Sequence, residues 1–131
     1  MKWLIAFDLD GTLAESKRPL SEDMAAILAR LLAITDVAVI SGGDWPQFEK
    51  QVASRLPARV DLSKLWLMPT TGTKLYTHGD GGWAPVYAEL FDDAEKAKIR
   101  TAFDQALTDA GLADERIWGE RIEDRGSQIT F

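Results

Sequence analysis

Apolar residues fall along this chain in two rhythms, short unbroken runs and helical spacings, and the two alternate. Trp3-Leu4-Ile5-Ala6-Phe7, Val37-Ala38-Val39-Ile40 and Leu65-Trp66-Leu67-Met68 are the unbroken runs. Such runs read as strands covered on both faces, as in a parallel sheet flanked by helices. Between the first two, Met24, Ile27, Leu28, Leu31 and Leu32 recur at helical spacing and predict a buried helix face. Ser21 is a good N-cap for that helix, and Glu22 and Asp23 suit the positive end of its dipole. Phe48, Val52 and Leu56 mark a second amphipathic helix over 47–56, with Asp44 or a neighbour as cap, Pro46 in the first turn and Pro57 as stop. Further on, 74–77 and 83–87 flank His78-Gly79-Asp80-Gly81-Gly82, a strong hairpin signal. Asp92-Asp93 opens the longest helix, with Ile99, Phe103, Ala106, Leu107 and Ala110 on one face and Gly111 as terminator. Gln128 to Phe131 reads as the start of another strand. Strands alternating with helices predict an α/β fold.

Composition narrows the picture further. At 131 residues the length suits one domain, or one domain plus a piece of another, and 46% apolar residues suffice for a packed core. A net charge of −6 argues against nucleic acid or an anionic membrane surface as partner. With no cysteine, neither a disulfide framework nor a thiolate metal site can form. No apolar run approaches the ~20 residues of a membrane span, and the N-terminus reads as a strand rather than a cleavable leader, so a cytoplasmic location is expected.

The chemistry sits where the first apolar run stops, at Asp8-Leu9-Asp10-Gly11-Thr12. In an extended segment residues i and i+2 share a face, so the two carboxylates can converge. Ligands of open α/β sheets bind beyond the carboxyl ends of strands, and paired acids there call for a cation or a shared proton task. The second apolar run ends in Ser41-Gly42-Gly43-Asp44 ahead of a helix. A hydroxyl, glycines and a helix N-terminus form a generic phosphate cradle, although glycine-rich turns of this kind also arise for purely geometric reasons.

The stretch from Phe7 to Leu13, F-D-L-D-G-T-L, resembles the first signature of the haloacid dehalogenase superfamily of phosphotransferases. The resemblance implies a Rossmann-like core in which Asp8 is the nucleophile that becomes an aspartyl phosphate. It makes Asp10 the general acid/base, and has magnesium held by the Asp8 side chain and the Asp10 backbone carbonyl. Ser41, with Gly42, would bind the phosphoryl oxygens. The loop Ala14 to Pro19 corresponds to a flap over the active site, from which Lys17 and Arg18 either face a substrate phosphate or are merely solvated cations.

Within the superfamily the chain is most similar to the phosphomannomutase-like and sugar-phosphate phosphatase branch, on D-L-D-G-T-L, G-G-D-W and E-D-R-G-S-Q-I-T-F at Glu123 to Phe131. That branch tends to place its serine where this chain has Gly43. Thr70-Thr71-Gly72 stands where relatives often carry Glu-Asn-Gly. By the same resemblance, 1–80 is the N-terminal half of the core and 81–131 the beginning of an α+β cap. Arg125 is either a ligand of the sugar's phosphate or an exposed arginine before an edge strand.

The superfamily's third signature, a lysine, and its fourth, one or two further aspartates, follow the cap in relatives and are not found here. Lys64 and Lys74 fit no motif and read as surface residues, as does His78. Two functions are therefore weighed. One is magnesium-dependent phosphoryl transfer on a sugar phosphate, to water or back to sugar; the other is a non-catalytic fragment that binds phosphate or cation weakly. In the superfamily the first strand is central, so a half-core leaves it with an open edge. Self-association through that edge, or through Gln128 to Phe131, is the expectation.

Overall fold

The computed structural model describes residues 3–131; Lys2, at the head of the first apolar stretch, lies outside the described residues. The chain divides into two compact units, Met1–Ala88 and Glu89–Phe131. The boundary falls eight residues beyond the division expected at 80 because the second hairpin strand stays paired with the first.

Unit one is a five-stranded sheet in the order β1-β2-β3-β4-β5. Its strands are β1 (Leu4–Asp8), β2 (Asp36–Ile40), β3 (Leu65–Met68), β4 (Lys74–Gly79) and β5 (Gly82–Ala88). β1, β2 and β3 run parallel with Ala6 opposite Ala38 and Ala38 opposite Trp66; the β4–β5 hairpin continues the sheet antiparallel. β2 is the central strand of the parallel part, and Val37, Ala38 and Val39 are buried as its unbroken apolar run requires.

β1 has the same composition and the opposite environment. It is the edge strand, and Trp3, Leu4 and Ile5 remain 67%, 58% and 40% exposed. The helix α1 (Glu22–Leu32) is capped by the Ser21 hydroxyl, which accepts from the Met24 N–H at 3.2 Å. It buries Ala25, Leu28 and Leu32, each leucine contributing about 1.5–3 kcal/mol on the usual scale of side-chain burial. Ile27, expected on that face, is exposed instead, at the rim of the buried stripe. An apolar cleft of about 240 Å³ opens there, lined by Phe7, Met24, Ile27 and Leu31 among others.

The helix expected over 47–56 is α2 (Trp45–Gln51), followed by a turn of 3-10 helix at Ala53–Arg55. Its apolar stripe is nonetheless in place, with Phe48 and Val52 fully buried.

Unit two holds α3 (Asp93–Asp109) and a short antiparallel pair, β6 (Glu123–Asp124) with β7 (Ile129–Thr130). Asp92 and Glu95 form a reciprocal capping box at the start of α3, and Gly111 leaves its end with φ +70°. Leu107 is its buried anchor, and Phe103 packs beside Phe131 with ring centroids 6.4 Å apart. Lys96 and Arg100 of α3 reach the Asp124 carboxylate at 3.2 and 3.6 Å, tying the helix to the hairpin.

Candidate active site

The site is built at the carboxyl ends of β1 and β2. Leu9, fully buried, anchors the turn between the two aspartates, and its carbonyl accepts from the N–H groups of Thr12, Leu13 and Ala14. With Leu9 turned into the core, Asp8 is left exposed and Asp10 half-buried. Gly11 takes φ +79°, a left-handed conformation that only glycine adopts without cost, and this lets the chain fold back so that its N–H donates to the Ala14 carbonyl at 2.7 Å.

Asp8 lines a cleft of about 380 Å³ together with Ser41, Gly42 and Thr71. The nucleophile expected from the sequence and the expected phosphate cradle thus share one concavity. The loop 41–43 is stitched to the end of β3 through backbone groups. The Ser41 N–H donates to Met68, the Thr71 N–H donates to the Ser41 carbonyl, and the Thr70 N–H donates to the Gly43 carbonyl, at 3.3, 2.9 and 2.8 Å. The last two of these bonds require an unusual turn. Thr70 and Thr71 have φ of +50° and +59°, which for β-branched residues costs on the order of 1–3 kcal/mol.

The Asp10 carboxylate is held by donors from the loop after Gly11 and from α2. Oδ1 accepts from the Lys17 backbone N–H at 3.0 Å and from Gln51 Nε2 at 3.2 Å, and Oδ2 accepts from Gln47 Nε2 at 3.3 Å. Lys17 therefore meets the site through its backbone, in a left-handed turn of φ +58°, with its side chain exposed. Gln47 and Gln51 escaped the sequence reading because a glutamine pair at i, i+4 has no motif of its own. The signal available was their shared position on the face of the helix that follows the cradle.

Lys74 is a correction to that reading. It is no surface residue: it is 8% exposed, and its Nζ lies 2.7 Å from Asp44 Oδ1. Asp44 caps α2, so the pair pins the N-terminus of the helix that carries Gln47 and Gln51. Trp45 stacks on Tyr76 beside it, with centroids 4.1 Å apart. Burial, with the Asp44 carboxylate nearby, pushes the Tyr76 hydroxyl above its ordinary pKa. His78 is half-buried and packs edge-on against Trp83. Arg125 belongs to unit two, where its guanidinium meets Glu123 at 2.7 Å and Gln128 at 3.2 Å.

For a metal, the described residues offer no group of three or more histidines, cysteines or carboxylates. The Asp8 carboxylate on the cleft is a hard oxygen donor of the kind magnesium takes, an ion that commonly binds one or two carboxylates and completes its shell with water and substrate phosphate. Among the described residues no helix is long and apolar enough to cross a membrane.

No protein-family model matches the sequence. Solved structures do. An IMP-nucleotidase of Plasmodium falciparum, N-terminally truncated and with IMP bound, superposes over 98% of this chain with a TM-score of 0.66 at 15% identity, the match covering 39% of that chain. Its ATP-bound form gives a TM-score of 0.69 at 16% identity, covering 98% of this chain and 34% of that one. A haloacid dehalogenase-like hydrolase from B. subtilis is 25% identical over 81% of this chain, with a TM-score of 0.56, and the match covers 34% of its length. The chain therefore spans between a third and two-fifths of the length of these structures. With D-L-D-G-T-L at the end of the first strand of such a sheet, the chain shares its fold with a haloacid dehalogenase-like hydrolase.

Proposed function

We propose that the protein is a phosphatase of sugar-borne phosphate monoesters that works through a phosphorylated Asp8. The observation that carries this reading is the single cleft shared by Asp8, Ser41, Gly42 and Thr71. A phosphoryl group seated there has a carboxylate as nucleophile and a hydroxyl beside it to hold its oxygens. Asp8 attacks phosphorus and forms the acyl phosphate while the bond to the sugar oxygen breaks, and Asp10 delivers a proton to that departing oxygen. In the second half Asp10 takes a proton from water, whose oxygen displaces Asp8 from phosphorus. Asp8 and the Asp10 carbonyl would hold magnesium, whose charge offsets that of the phosphoryl group and of the carboxylates. Lys17 is the candidate cation for the remainder of the substrate.

Two considerations favour this reading. The named neighbours are a nucleotidase and a hydrolase, and the phosphate of a nucleotide such as IMP also sits on a sugar. The branch resemblance points to sugar phosphates as well. Return of the phosphoryl group to a second sugar hydroxyl would instead make the protein a phosphomannomutase-like isomerase. That outcome would show itself as turnover dependent on a sugar bisphosphate, without steady phosphate release.

In the full-length protein, Asp8→Asn should abolish phosphate release from a sugar phosphate, since it removes the covalent route. A residual rate within about tenfold of wild type overturns the assignment.

A further inference from the structure

Gln47 and Gln51 stand one turn apart on α2 and reach the same carboxylate with unequal freedom. The Gln51 side chain is 2% exposed, and its Nε2 donates both to Asp10 Oδ1 and to the Arg18 carbonyl at 2.6 Å. Both of those partners are acceptors only, so the amide cannot turn over, and its Oε1 is buried with no hydrogen-bond partner. A buried carbonyl oxygen left unpaired is costly, and the fold tolerates it here to hold Nε2 against Asp10. Among the described residues the Gln47 amide donates to Asp10 Oδ2 alone, at 3.3 Å.

Gly43 explains how Gln47 gets there. A Cβ at position 43 would lie 2.2 Å from Gln47 Oε1 and 2.4 Å from its Cδ. Any side chain at 43, the serine of the phosphomannomutase branch included, would drive the Gln47 amide away from Asp10. The φ of Gly43 is not among the positive values, so alanine is compatible with its backbone. Gly43 is thus a space requirement for Gln47 rather than a conformational one.

We infer that Gln47 and Gln51 are positioning residues for the proton transfer by Asp10, with Gly43 present to admit Gln47. The inference rests on the reading of Asp10 as general acid/base. Gln51 and the Lys17 N–H both donate to Oδ1, and Gln47 donates to Oδ2, so both oxygens of the carboxylate are held from the flap loop and from α2. Together these bonds keep the Asp10 carboxylate in one orientation.

The test separates help to a leaving group from general damage. For the full-length protein, kcat/KM is measured on glucose 6-phosphate, whose alkoxide needs a proton, and on 2,4-dinitrophenyl phosphate, whose leaving group does not. Gln47→Ala should lower kcat/KM on the sugar phosphate about tenfold or more, part of the ~10²–10⁴-fold that general acids supply, and leave the aryl phosphate within about threefold, and Gly43→Ala should likewise lower the sugar phosphate more than the aryl phosphate. The double variant should be no worse than Gln47→Ala alone, because the alanine at 43 then has its space. Equal losses on both substrates, or additive losses in the double variant, overturn the inference while leaving the phosphatase reading standing. Wild-type protein that hydrolyses neither substrate overturns the reading of Asp10 and the inference with it.

Discussion

At the scale of single residues, the site was legible where chemistry and position coincide in sequence. Asp8 and Ser41 each end an apolar run, and β1 and β2 are parallel neighbours with Asp8 opposite Ile40, so the ends of the two runs must meet. What the sequence could not show is pairing across long separations. Lys74 looks like any lysine before a hairpin, yet thirty residues separate it from the Asp44 it neutralises. Gln47 and Gln51 likewise reach Asp10 across 37 and 41 residues. A lysine held in such a pair leaves an uncompensated carboxylate when removed. Lys74→Met should therefore destabilise unit one by on the order of 2 kcal/mol, below the ~3–5 for fully buried pairs, since the Asp44 side chain keeps 26% of its exposure. Chemical denaturation measures this, and no change in midpoint would show that the pair contributes only geometry.

At the scale of elements, helices and strands followed their patterns because the local signals and the tertiary demands agree: Ser21, Asp44 and Asp92 all cap as read. Context decides the exceptions. The apolar run of β1 has the composition of a central strand and, as a half-core implies, the place of an edge strand, so it is not covered as its composition alone suggests. Ile27 follows the helical period yet is exposed. In unit two the packing of α3 on the hairpin depends visibly on charge. The Gly126 N–H first, and then Lys96 and Arg100, hold the Asp124 carboxyl below the usual carboxylate range. The sign follows from that depression. The stabilisation is fully present above the unfolded carboxylate value near 3.9 and is lost as pH falls through the lower folded value. Unit two should thus lose stability in acid below about pH 4, and Asp124→Asn should flatten this part of the profile. An unchanged acid limb in that variant, followed by circular dichroism, would assign the loss to other groups.

At the scale of the whole molecule, the exposed side of unit one was visible only as a consequence of strand order. Among the described residues β1 pairs on one side alone, and Trp3, Leu4, Ile5 and Ile27 leave apolar surface beside it. Monomers rarely expose such a patch next to an unpaired strand edge, which is itself a template for pairing. The 131-residue chain is therefore expected to sediment as a dimer or larger species in which a second copy covers β1. Leu4→Lys should shift it toward monomer, and a monomer at high micromolar concentration in the unaltered chain would contradict this. The central claim remains the covalent one, that Asp8 carries the phosphoryl group between substrate and water. It is tested most directly by mixing the full-length protein with a sugar phosphate, quenching within the first turnover, and reducing the acyl phosphate with borohydride before peptide mass spectrometry. The account predicts reduction at Asp8, absent without substrate and absent in Asp8→Asn. Turnover of substrate with Asp8 unmodified at every time point, or an adduct on another residue, would contradict it.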